Sequence, residues 1–69
     1  MKIDTEQLKK DLVSARKDKF LSMDLACKEI GISKPTLSRI EKGNTPDAKT
    51  MLLVCRWINK NPNSYLVDL

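Results

Sequence analysis

Residues 22–43 of the 69-residue chain read SMDLACKEIGISKPTLSRIEKG. Both glycines of the protein, Gly31 and Gly43, fall in this stretch. Before Gly31, Ala26, Cys27 and Ile30 recur at i, i+1 and i+4, which places them on one face of a helix. Ser22 is positioned to cap that helix, because a serine hydroxyl accepts from a first-turn N–H group that has no intrahelical partner. The spacing predicts a helix over 23–30, stopped by Gly31, which can take the left-handed conformation that closes a helix. A second helix opens at Ser33 and ends before Gly43. Pro35 then lies at its second position, where the missing N–H is harmless. Leu37 and Ile40 point inward. Lys34, Pro35, Thr36, Ser38, Arg39 and Lys42 are left outside.

Only Gly31, Ile32 and Ser33 separate the two helices. A turn this short, with glycine first, has the spacing of a helix-turn-helix over about 22–42. Such a turn sets its helices at a steep angle, so the second projects and fits the major groove of DNA. Ile32 is expected to pack between the helices and fix that angle. The N-terminal end of the second helix would face the bases, with its free N–H groups and positive dipole end toward phosphate.

The flanking sequence is helical as well, and no stretch alternates with period two for long enough to make a strand. A first helix is expected over about 5–17. Asp4 is its cap, Gln7 completes a capping-box pattern, and Ile3 and Leu8 occupy the positions of a hydrophobic staple. Leu8, Leu12 and Ala15 form its apolar stripe, which Arg16 oddly continues. A helix over about 48–59 follows Asp47. Met51, Val54, Cys55 and Ile58 recur there at i, i+3, i+4 and i+7, with Leu53 and Trp57 on an adjacent face. Asn61 and Pro62 signal a short last helix carrying Tyr65 and Leu66, with Val67 and Leu69 in the tail. The reading is a compact all-α fold of four to five helices, one domain over 1–69.

Composition narrows the function. The chain is 41% hydrophobic and 32% charged, too apolar for disorder. It has no run long enough to span a membrane and no signal peptide, so a cytoplasmic location without membrane association is expected. Two cysteines and no histidine exclude a zinc-finger type of metal site, which takes about four such ligands. Cys27 and Cys55 lie on apolar helix faces and read as small free hydrophobes. No metal, other cofactor or catalytic residue is expected, because glycine-rich phosphate loops and paired carboxylates are lacking too. The net charge is +4, with pI near 9.3. All of that excess lies in 28–60, where seven Lys and Arg face three Asp and Glu, which suits an anionic partner.

At the level of residues, SMDLACKEIGISKPTLSRIEKG resembles the helix-turn-helix of the phage repressor and Cro-type (xenobiotic-response-element-like) DNA-binding family. The match runs without a gap from Ser22 to Gly43. The family's small residue falls on Cys27 and its apolar residues on Ile30, Ile32, Leu37 and Ile40. It continues through PDAKTMLLVCRWINKNPNSYL, similar to a subgroup with a Pro-Asp start, a Cys-x-Trp-aliphatic run and a closing Pro helix. Roughly residues 6–66 are covered. The resemblance implies a lambda-repressor-like fold and a sequence-specific transcriptional regulator, a repressor or Cro-like protein of phage or prophage kind. Its partner would be a double-stranded DNA operator, bound as a homodimer. The resemblance also accounts for Arg16, since an arginine there pairs in many members with the glutamate at Glu41. A chain of this length leaves no room for a ligand-sensing domain, so control by concentration and operator affinity is expected.

Carried over by position, the base-reading candidates are Lys34, Pro35 and Arg39, flanked by Thr36 and Ser38. Arg39 leads, because a guanidinium can bind guanine O6 and N7 in bidentate fashion. Pro35 departs from the polar residue usual at its position and offers only an apolar contact. Met23 departs from a glutamine common in relatives and is left out. Phosphate contacts are expected from Ser22, Ser33, Lys42, Asn44, Thr45 and Lys49. Lys17 and Lys19 read as solvated. Trp57, Tyr65, Leu66, Val67 and Leu69 are the candidate dimer interface, although Trp57 and Leu66 also suit the core. An alternative function is an antitoxin or other module that binds a protein partner, to which Leu25 and Leu53 would be offered as exposed leucines.

Overall fold

The computed structural model of the chain describes residues 2–68. Helix α1 spans Thr5–Asp18, α2 Met23–Ile30, α3 Lys34–Glu41 and α4 Ala48–Ile58, and a single 3-10 turn follows at Pro62–Tyr65. Each begins at the residue expected to cap it. Asp4, Ser22, Ser33 and Asp47 accept the N–H of Gln7, Leu25, Thr36 and Thr50, and Asn61 accepts that of Asn63. At Asp47 the hydrogen bonds from Thr50 also hold the carboxyl below the ordinary range.

The capping box on α1 forms only in half. The Asp4 N–H, which Gln7 would take, instead donates to the Tyr65 carbonyl at 2.6 Å. Gln7 Nε2 turns the other way and donates to Asp11 Oδ1 at 3.0 Å. The reason is a feature the sequence did not announce. Strand β1 (Lys2–Ile3) pairs antiparallel with β2 (Leu66–Val67), matching Lys2 with Val67 and Ile3 with Leu66. These two-residue strands are too short to show an alternating pattern, yet they clasp the two ends of the chain together.

Leu8, Leu12, Ala26, Cys27, Ile30, Leu37, Ile40, Met51, Val54, Cys55 and Tyr65 form the buried core. Ile3, Ile32, Leu53, Trp57 and Ile58 pack around it, half-buried. Both cysteines are free and buried, and burial raises the Cys55 thiol above its usual range. Among the described residues no polar or charged residue is buried outright, and no helix is long and apolar enough to cross a membrane.

Two assignments change. Tyr65 is 1% exposed, and its hydroxyl donates to Asp11 Oδ2 at 2.6 Å. Its ring is spent inside the fold and is not offered to a second chain. Leu66, expected to close the core, points out at 40% exposure, because strand pairing turns successive side chains to opposite faces. Leu69 lies outside the described residues.

Candidate nucleic-acid interface

The turn that presents α3 is built as its residues require. Gly31 has φ +92°, and the N–H groups of Gly31 and Ile32 both donate to the Cys27 carbonyl, closing α2. A Cβ on Gly31 would meet nothing within 4 Å, so glycine is needed there for its backbone conformation alone. Ile32 then drops into the edge of the core. Gly43, at φ +96°, closes α3 in the same way, with the Asn44 N–H returning to the Arg39 carbonyl.

The inner face of α3 is tied down twice. Leu37 and Ile40 enter the core, and Glu41 meets Arg16 of α1 in a bidentate pair. Arg16 Nε lies 2.9 Å from Glu41 Oε2 and Nη2 lies 3.0 Å from Oε1. Arg16 Nη1 also donates to the Leu21 carbonyl at 3.3 Å. The two side chains are 19% and 13% exposed, so the pair is shielded from salt far better than a surface pair.

The outer face is accessible. Lys34, Pro35, Arg39 and Lys42 are exposed, and Thr36 and Ser38 are half-buried. Thr36, Arg39, Asn44 and Thr45 come together with Pro46, Asp47 and Thr50 around an open groove of about 200 Å³ between α3 and α4. Thr50 was missed by the sequence reading. It lies one position before the buried Met51, and only the three-dimensional path of the chain from α3 through residues 44–47 brings it to the same groove as Arg39.

Several residues already have partners. The Ser33 and Thr36 hydroxyls share a 2.7 Å hydrogen bond, and Ser33 Oγ also accepts the Thr36 N–H. Pro35 has no N–H. The first turn of α3 therefore offers fewer free donors to phosphate than a bare helix end would. Asn44 Nδ2 donates to the Arg39 carbonyl at 3.1 Å, bracing the end of α3. Lys34 Nζ lies 3.2 Å from Asp24 Oδ1 of α2, an ion pair the sequence reading did not include. Ser22, Thr45 and Lys49 are exposed.

On the far side, Trp57 Nε1 donates to Glu29 Oε1 at 3.0 Å. Lys19, read as solvated, sits 5.3 Å above the Trp57 ring, within the range of a cation–π contact. Val67 is half-buried. Leu25 is exposed as expected, but Leu53 packs on the core and Leu52 takes its place outside. One residue along a helix is a rotation of about 100°, which turns Leu52 to the outside while Leu53 stays against the core.

Two short helices joined by a glycine turn, the second pinned inside but open outside, define a helix-turn-helix protein. A helix-turn-helix family model matches residues 12–63. The chain belongs to this family, the phage repressor and Cro type, whose fold is the all-α one seen here. Membership points to a DNA-binding regulator. Searches of curated proteins and of solved structures returned no match.

Proposed function

We propose that the protein is a sequence-specific transcriptional regulator of Cro or repressor kind, of phage or prophage origin, that reads the major groove of an operator with α3. The observation that carries this is the asymmetry of α3. Its inner face is fixed by Leu37, Ile40 and the Arg16–Glu41 pair, while Arg39 stands exposed beside an open groove. A reading head must be rigid behind and unobstructed in front, or geometry is lost at the base edges. Lys34, Pro35, Thr36, Ser38 and Arg39 are assigned to bases. Ser22, Ser33, Lys42, Asn44, Thr45 and Lys49 are assigned to the backbone. A homodimer on a two-fold operator, using Trp57, Leu66 and Val67, completes the reading.

Selection of bound duplexes from a random pool tests it. Arg39→Ala should lower discrimination at one base position by about 1–3 kcal/mol. Lys42→Ala should weaken all sequences alike and flatten the salt dependence. A wild-type chain that recovers no preferred sequence, even at low salt, removes the proposal.

A second reading, a module binding a protein partner, is favoured by Phe20, Leu25 and Leu52, which are 94%, 52% and 61% exposed. Co-purification with a stoichiometric partner would support it.

A further inference from the structure

Asp24 is an acidic residue two positions after Ser22, on the surface proposed to meet phosphate. An anion there repels the DNA backbone and so works against affinity. Its place in the first turn of α2 suits the helix dipole, but Ser22 already caps the helix, and a neutral residue at 24 would serve the fold nearly as well. What it does have is a partner, Lys34 at the first position of α3, at 3.2 Å. With side-chain exposures of 58% and 67%, the pair is screened and adds little to stability. Its chemistry is more telling. An ammonium has three N–H donors. One directed at Asp24 leaves two for another acceptor, while the pair as a whole carries no net charge.

We propose that Asp24 is a specificity-determining residue that turns Lys34 from a phosphate-seeking point charge into an oriented, charge-balanced donor for a base edge. Attraction to phosphate comes largely from counterion release and follows net charge, so pairing cancels it. A hydrogen bond to guanine O6 or N7 is short-range and needs only a free N–H, so pairing leaves it in place. The pair thereby lowers the non-specific, phosphate-driven part of binding while leaving the base contact of the right duplex in place. This rests on the reading that α3 enters the major groove.

The test compares wild type, Asp24→Asn, Lys34→Ala and the double variant. Each is titrated with a random-sequence duplex and with the duplex recovered by selection, across a salt series. Asp24→Asn should tighten binding to random duplex about fivefold at low salt and steepen the salt slope by about 0.9, the value of one phosphate. The ratio of selected to random affinity should fall. In the Lys34→Ala background the same substitution should change random binding less than about twofold. Unchanged random affinity and slope in Asp24→Asn overturns the inference. So does equal tightening with and without Lys34, which would make Asp24 a simple repulsive charge. Wild type that binds no duplex is a separate result, visible before any variant is compared; it removes the functional reading and this inference with it. Asp24 is exposed, and circular dichroism checks that each variant is folded.

Discussion

The helix-turn-helix and the terminal clasp hold together by opposite means. In the first, the contacts are near in sequence: Ser33 to Thr36, Gly31 and Ile32 to Cys27, Asn44 to Arg39. In the second they join the ends of the chain: Lys2 to Val67, Asp4 to Tyr65, and Asp11 to Tyr65 across 54 residues. Local bonds specify the shape of the helix-turn-helix cheaply, because little chain entropy is lost in forming them. Distant ones close the domain around it. The Arg16–Glu41 pair, 25 residues apart, is the joint that fastens the helix-turn-helix to α1, on which the clasp also rests.

Breaking that joint should have the largest effect. Glu41→Ala leaves Arg16 half-buried with only the Leu21 carbonyl, and losing one partner of a buried pair costs about 3 kcal/mol. A domain this small has about 5 kcal/mol to lose. Urea denaturation should therefore show a large drop in midpoint, with Glu41→Gln falling between the two because one oxygen still accepts. A loss below about 1 kcal/mol would show the pair to be no stronger than an exposed one and not the joint between the helix-turn-helix and α1.

The same contrast explains what could be read from the sequence. Asp4, Ser22, Ser33, Asp47 and Asn61 were legible as caps because a cap is decided within three residues. Gly31 was legible because few other residues tolerate its φ. The clasp was not, since neither LV nor KI is long enough to carry a period, and Asp4 matched a capping box that Tyr65 then pre-empted. Leu53 packs on the core and was expected outside, because adjacent leucines on a helix do not themselves say which one faces in. On α3, the exposure of Lys34, Pro35 and Arg39 followed from spacing. The Lys34–Asp24 pair spans two helix starts, and only the angle of the turn brings them together.

Tyr65→Phe separates the two regions. It deletes the hydroxyl bonded to Asp11 and leaves the ring in the core, so the loss should be about 1.5 kcal/mol, as for a hydrogen bond to a charged acceptor. Amide exchange should quicken at Asp4 and across the β1–β2 pairs more than at Leu37 and Ile40. Uniform acceleration would mean that clasp and helix-turn-helix open as one unit. A pH series adds a second signature. Burial first, and then the bond to Asp11, push the Tyr65 phenol well above its ordinary value. The folded chain thus holds this proton more tightly than the unfolded chain does. The associated stability is complete below about pH 10, the unfolded value, and is lost as pH rises beyond it. Wild type should weaken there more steeply than Tyr65→Phe, and parallel curves would assign the alkaline loss to other groups.

The smallest effect compares the turns on either side of α2. Both close a helix through a left-handed residue, but one uses Gly31 and the other Phe20, at φ 55°. The Phe20 N–H donates to the Lys17 carbonyl and the Leu21 N–H to that of Arg16, so the hydrogen bonds of the closing turn are made despite the side chain. An L-residue in this conformation costs about 1–2 kcal/mol, and at 94% exposure the ring recovers almost none of it by burial. Glycine relieves that strain but adds about 0.5–1 kcal/mol of unfolded-state entropy. Phe20→Gly should therefore stabilise by about 0.5–1 kcal/mol and raise the Tm by about 3–6 °C. Gly31→Ala, where a Cβ would meet nothing within 4 Å, should lose about 1 kcal/mol from conformation alone. If Phe20→Gly instead lowers the Tm, the ring is contributing to the fold. If it raises the Tm as expected, the phenylalanine is retained at a cost to folding, and its exposed ring becomes the first residue to replace in testing for a protein partner.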